Sequence, residues 1–165
     1  RDLQDFFALR VKNVLADKVR SDVAEAVMES GISAVGSVIR KAEALEAFVA
    51  GSEAKPAVDA FNRVCNLAVK AESDELDESA LREPAEQELY KQWNQLHIIY
   101  NEHLDEGKEA EALAELAGLR DAVNGFFDAV MVMAEDPAIR RARLALLARI
   151  AADIRRFADF SRLVK

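Results

Sequence analysis

The chain has 165 residues and a formal charge of −8 at neutral pH, with 51% apolar and 32% charged residues but only six glycines and three prolines. That length supports one hydrophobic core and one domain, and the composition is that of a soluble helical protein. No apolar run approaches the ~20 residues needed to cross a bilayer, nothing reads as a signal peptide, and the single cysteine, Cys65, forbids an internal disulfide and fits a reducing cytoplasm.

In chain order, nearly every segment has helical periodicity. Leu3, Phe6, Phe7, Arg10, Val11, Val14 and Leu15 recur at three- and four-residue spacing and predict an amphipathic first helix. Ser21-Asp22 can cap a second, through Met28, with Gly31 ending it. A third is expected from Ala34 to Ala50 before Gly51. A fourth has Pro56 in its first turn and runs to Ala71 with Val58, Phe61, Val64, Leu67 and Ala68 inward. The acidic stretch from Asp74 to Ser79 reads as a loop. Glu83-Pro84 opens a long fifth helix carrying Leu89, Trp93, Leu96, Ile99, Tyr100 and Leu104, closed by Gly107. Lys108 to Leu119 is the sixth, Asp121 to Met133 the seventh, and Asp136-Pro137 starts an eighth that continues to Lys165. No segment alternates as a strand does, so the expected fold class is all-α: a bundle of about eight helices over residues 1–165. A start at Arg1 rather than methionine predicts a piece excised from something longer.

Charge is unevenly spread. The first seventy residues hold ten basic and ten acidic side chains, whereas from Arg140 onward there are eight basic and two acidic. The negative excess lies between Glu72 and Asp121, notably in Glu72-Ser73-Asp74-Glu75-Leu76-Asp77-Glu78. At about 100° per residue, Ile139, Ala142, Leu146, Ile150, Ile154, Phe157 and Val164 of the last helix share one arc. Arg141, Arg149, Arg155, Arg156 and Arg162 share the opposite one, which predicts an apolar face in the bundle and an arginine stripe in solvent. Arg143 falls inside the apolar arc, where an unpaired charge costs several kcal/mol. One reading is a buried ion pair locking two helices, with Asp128 as the candidate partner. The other is direct contact with a ligand.

Catalytic patterns are missing: no Gly-rich phosphate loop, no nucleophile elbow, no paired Cys motifs. His97 and His103 are six apart on one helix and therefore face apart, so a shared metal is not expected. Binding has better support. Arg10, Lys12, Lys18 and Arg20 cluster near the start, and Asn62-Arg63-Val64-Cys65-Asn66 puts polar groups on an otherwise apolar helix. Asn and Arg hydrogen-bond unpaired base edges, and aromatic rings stack on exposed bases. Phe6-Phe7 and Phe126-Phe127 are doublets in which one ring can face the core while the other lies at the rim. Core packing is the expectation for each ring, for Trp93 and for Cys65.

Several runs in order resemble a known family. They are Phe6-Phe7-Ala8-Leu9-Arg10, Ser21-Asp22-Val23-Ala24-Glu25-Ala26-Val27, Arg40-Lys41-Ala42-Glu43-Ala44-Leu45-Glu46-Ala47-Phe48 and Asn62-Arg63-Val64-Cys65-Asn66-Leu67. Glu83-Pro84-Ala85-Glu86-Gln87-Glu88-Leu89-Tyr90 follows, the strongest part runs from Phe126 through Asp136 to Arg143-Leu144-Ala145-Leu146-Leu147, and Ala158-Asp159-Phe160-Ser161 comes last. Together they resemble the C-terminal domain of the β subunit of bacterial heterotetrameric glycyl-tRNA synthetase. The resemblance implies a helical anticodon-binding domain of the DALR type, in an enzyme whose α subunit carries the aminoacylation site. Arg143 matches the arginine of an Asn-Arg-Leu signature, and Arg63 that of a Lys-Arg-Val-x-Asn signature. Ala142 stands where the family usually has Asn, and Asn62 where it usually has Lys.

The combined expectation is a tRNA-binding domain, itself non-catalytic, that engages the anticodon arm of glycine tRNA. The candidate RNA-binding residues are Arg10, Lys12, Arg63, Asn66, Arg141, Arg143, Arg149, Arg155, Arg156 and Arg162. No cofactor is expected here, since ATP and magnesium would belong to the partner α subunit, and the setting is cytoplasmic with no membrane partner. The alternative is a helical docking module that holds the β subunit to other parts of the synthetase, which the acidic middle favours.

Overall fold

The computed structural model describes residues 2–29 and 35–163, with side chains from Asp5 onward in the first helix. Eight α-helices and no strand are found among them: α1 (Asp2–Ala16), α2 (Ser21–Met28), α3 (Val35–Val49), α4 (Ala54–Ala68), α5 (Pro84–Asp105), α6 (Glu109–Ala117), α7 (Arg120–Ala129) and α8 (Pro137–Phe157). Single 3-10 turns occur at Glu78–Ala80 and Phe160–Arg162. No described helix is long and apolar enough to cross a membrane. The expectations placed on Gly31, Ala34, Val164, Lys165 and the Leu3 side chain lie outside the described residues.

Local chemistry explains two of the helix starts, whereas at α2 the N-cap residue is Arg20, without a side-chain cap, rather than the expected Ser21-Asp22. Asp136 Oδ1 accepts from the Ala138 and Ile139 N–H groups at 2.9 and 3.4 Å, with Pro137 in the first helical position of α8. At α5, Pro84 is likewise first, and the Glu83 N–H donates to Glu86 Oε1 at 3.4 Å. Gly107, with φ of 76°, is the one described residue in the left-handed region, and it turns the chain from α5 into α6. Just beyond it, buried Glu109 lies in the first turn of α6, where the helix dipole favours a carboxylate. It accepts from Arg40 Nε at 2.8 Å and Ser37 Oγ at 3.3 Å, tying α6 to α3.

The core is organised around α8, which packs on α4, α5 and the Glu78–Ala80 turn. Five consecutive residues of α8, from Arg143 through Leu147, are all buried. A helix with only one face inward cannot do that, so the middle of α8 is covered on every side. Phe61 of α4, Tyr100 of α5, Phe126 of α7 and Phe157 at the end of α8 are fully buried, each worth about 1.5–3 kcal/mol of burial.

Four expectations need correction. Helix α7 stops at Ala129 rather than Met133, because Val130 is extended (φ −128°, ψ 146°). The β-branched run there favours an extended backbone, which buries Val132 while Met131 and Met133 face out. Helix α4 ends at Ala68, short of Ala71. Helix α8 ends at Phe157, where Ala158 is extended (φ −167°, ψ 164°) and the Asp159 N–H donates to Ala26 O of α2 at 2.8 Å. That link turns the chain back so that Phe160 packs edge-on against Phe61, 5.1 Å away. Arg162 is therefore not an α8 residue at all, and its place on a helical arc does not apply. Finally, the two phenylalanine doublets behave oppositely. Phe126 and Phe127 are both buried, whereas Phe6 and Phe7 of α1 are 55% and 47% exposed. Only Val11 and Leu15 anchor the described part of α1, which packs on α2 and α3.

Candidate functional site

The arginines of the C-terminal arm fan out to partners on other elements. Arg143 is 8% exposed and pairs with Glu86 of α5, which is 1% exposed, at 3.0 Å; it also donates to Met131 O at 2.5 Å. Asp128, the expected partner, is exposed on α7. Since α7 ends at Ala129, the guanidinium meets the backbone of the following segment instead. Arg149 donates to Asp74 O at 2.7 Å, and Arg155 to Cys65 O at 3.2 Å. Arg156 bonds Asn101 Oδ1 and pairs with Asp105 at 2.6 Å. Arg162 pairs with Glu29 at 3.3 Å and Asp159 at 3.5 Å. The basic arm and the acidic middle of the sequence thus cancel partly within the molecule.

One group of exposed cations without an ion pair lies along the border between α4 and α8; others, such as Lys55, Arg82 and Lys91, are scattered elsewhere. Arg141 and Lys70 make no hydrogen bond or ion pair among the described residues, and with Arg140 they line a cleft of about 380 Å³. The acidic loop closes its other side with Glu72, Glu75 and Asp77. On α4, exposed Arg63 stacks on the Phe127 ring of α7 with its guanidinium carbon 4.2 Å from the centroid. A second cleft, of about 300 Å³, lies between α4 and the chain following α8, and Asn62, Asn66, Cys65 and Arg155 line it. Burial pushes the Cys65 thiol above its usual range, with Arg155 opposing.

The structure brings together only part of the candidate set. Asn66, Arg141, Arg149 and Arg155 lie where α4 and the loop after it meet α8, while Arg63 of α4 faces α7. Arg156 turns toward α5, Arg162 toward Glu29, and Arg143 is inside. Arg10 and Lys12 are exposed on α1, where Arg10 lies 5.9 Å over the Phe6 ring, and α1 packs on α2 and α3 rather than beside this border. No basic groove forms between the first and last helices among the described residues.

A polar centre went unread in the sequence. Asp153 of α8 accepts from Trp93 Nε1 at 2.9 Å and Asn101 Nδ2 at 3.2 Å, and lies 2.5 Å from His97 Nδ1. The Tyr100 hydroxyl donates to the Asp153 carbonyl at 2.6 Å. Two signals pointed to it: an acid set between Ile150, Ile154 and Phe157 on the apolar arc, and Trp93, His97 and Asn101 spaced by four along α5. The described residues contain no group of side chains suited to holding a metal ion.

Comparison with known proteins adds to this geometry. The model of the DALR anticodon binding domain matches residues 58–157, from α4 to the end of α8. The glycine–tRNA ligase β subunit of Clostridioides difficile (strain 630) is 42% identical over 163 residues. Those of Trichlorobacter lovleyi and Citrifermentans bemidjiense are 36% and 37% identical over 162 and 163 residues. Each alignment takes in 98–99% of this chain but 24% of the relative, so the chain spans about a quarter of their length.

Proposed function

We propose that this chain, which belongs to the DALR anticodon binding domain family, is the tRNA-binding domain of a glycine–tRNA ligase β subunit and engages the anticodon arm of glycine tRNA. The observation that carries the reading is the α4–α8 border. There, inside the matched segment, Lys70 and Arg141 are exposed cations with no carboxylate partner among the described residues, and Arg63, on the α7 side of α4, is a third. Such groups hold phosphates and set the position of the RNA, while the neighbouring Asn62 and Asn66 carboxamides suit base edges. On this reading ATP, glycine and magnesium act on the α subunit of a heterotetramer, this domain contributes no reacting group, and the enzyme works in the cytoplasm. The test is binding of labelled glycine tRNA to ligase assembled from the α subunit and a β subunit carrying this chain. Charge reversal at Arg63 and Arg141 together should weaken binding about 100-fold at low salt. Unchanged affinity would sink the reading.

A second reading has its own support. The exposed apolar face of α1, with Phe6, Phe7, Leu9 and Val14, is better suited to protein than to RNA and favours a docking role toward other parts of the ligase. Phe6→Ser with Phe7→Ser would then release the assembled subunits while leaving tRNA affinity per intact ligase unchanged.

A further inference from the structure

The smaller of the two clefts on the α4–α8 side has a chemistry of its own. At about 300 Å³ it sits at the low end of ligand-pocket volumes, room for one flat ring system rather than a length of backbone. Asn62 and Asn66 are four residues apart on α4 and therefore stand one above the other on the same wall. Neither carboxamide has a hydrogen-bond partner among the described residues, so each offers a donor and an acceptor. Arg155 spends part of its guanidinium on Cys65 O and retains a planar face on which a ring can stack. Val69, 72% exposed, adds apolar surface.

The charges decide between phosphate and base. Glu29 and Asp159 also line the cleft; Asp159 Oδ1 is taken by the Ser161 N–H and hydroxyl and Glu29 Oε1 lies 3.3 Å from Arg162, which leaves Asp159 Oδ2, 3.5 Å from Arg162, and Glu29 Oε2 with accepting lone pairs. Two carboxylates repel a phosphate but accept N–H from an exocyclic amine, as do the Asn carbonyl oxygens. We infer that this cleft takes a single unstacked nucleobase bearing an exocyclic amine, drawn from an RNA loop held on the α4–α8 border, with Asn62 and Asn66 reading its hydrogen-bonding edge. The inference rests on the RNA-binding reading above and adds where, and by which residues, a base is read.

The experiment uses ligase assembled with a β subunit carrying this chain, and glycine tRNA transcripts in which each anticodon-loop base other than uridine is replaced singly by uridine, which lacks the amine. At one position the replacement should weaken binding about ten- to a hundredfold, and Asn66→Ala should weaken binding of the unaltered tRNA by a similar factor. The two together should be no worse than either alone, and the salt dependence should not change, since no phosphate contact is lost. Asn66 is exposed on a helix, and alanine there suits the helix, so folding is not at risk. Factors that multiply at every loop position, with tRNA still bound, would overturn the cleft assignment alone. So would loss of α-subunit affinity in Asn66→Ala without any base coupling, which would make the cleft a protein seam. Failure of the unmutated ligase to bind any of the transcripts would instead overturn the RNA reading on which the assignment stands.

Discussion

Arg143 joins three segments: its own helix α8, Glu86 near the start of α5, and the Met131 carbonyl in the extended stretch after α7. Arg143 Nε and Glu86 Oε2 are buried without a hydrogen-bond partner among the described residues, so the pair is incompletely satisfied. Such a pair adds little beyond an apolar contact of the same volume, but it is costly to break from one side. Glu86→Ala should therefore destabilise the fold by about 3–5 kcal/mol in urea unfolding, because it strands a buried guanidinium. Glu86→Leu combined with Arg143→Met should recover most of that loss. Equal losses in the single and double variants would mean that packing, not charge, matters here. Cys65 offers a milder case. Burial raises its thiol pKa, so less thiolate is present at a given pH than for an ordinary cysteine. Alkylation by iodoacetamide should be slow near neutral pH in the folded chain and rise steeply toward alkaline pH. A neutral-pH rate equal to that in denaturant would contradict this environment.

Among the elements, α8 shows how a helix can be read correctly in kind and wrongly in extent. Its start is local chemistry, Asp136 and Pro137, and is visible in the sequence. Its end is tertiary: the Asp159 N–H is drawn to Ala26 O, Phe160 is drawn to Phe61, and the Asp159 carboxylate accepts from the Ser161 N–H at 3.1 Å. Burial opposes ionisation of Asp159, but hydrogen bonds from Ser161 and the nearby Arg162 outweigh it and hold the carboxyl below its usual range. A depressed folded-state pKa means stability that is present above the unfolded value, about 3.9, and lost as pH falls through the folded value. The melting temperature should accordingly drop as pH is lowered through this acid range, and Asp159→Asn should flatten that part of the profile. An unaltered profile in Asp159→Asn would show that the turn is not held by this charge. On the opposite side of α8, the Lys41 ammonium donates to the Arg156 carbonyl at 2.7 Å and satisfies the end of the helix from α3.

For the whole molecule, the governing fact is where the charges go. A net charge of −8 with a basic C-terminal arm describes the chain, but folding sets Arg143 on Glu86, Arg156 on Asp105 and Arg162 on Glu29. Arg143, Arg156 and Arg162 of the basic arm are engaged with carboxylates, so the log–log salt slope of tRNA binding should be set by the unpaired cations. Removing Arg141 should reduce it by about 0.7–0.9, the share of one phosphate contact. Arg156→Ala should leave that slope unchanged, because this guanidinium is engaged with α5; equal effects of the two substitutions would refute the separation. The helix class, most helix starts, the burial of Trp93 and the anomaly at Arg143 were legible in the sequence, because period, proline and capping side chains act over a few residues. Glu86 as the partner of Arg143, the Asp153 centre, the exposed Phe6 and Phe7 and the cleft at Asn62 and Asn66 were not. Each depends on which helix lies opposite, and periodicity says that a face is buried without saying against what. The sequence by itself therefore determined an all-helical chain with one surplus of charge at each of two places. Only the tertiary structure decided that those surpluses meet, because ion pairs and carbonyl contacts form across distances of 50 or more residues along the chain.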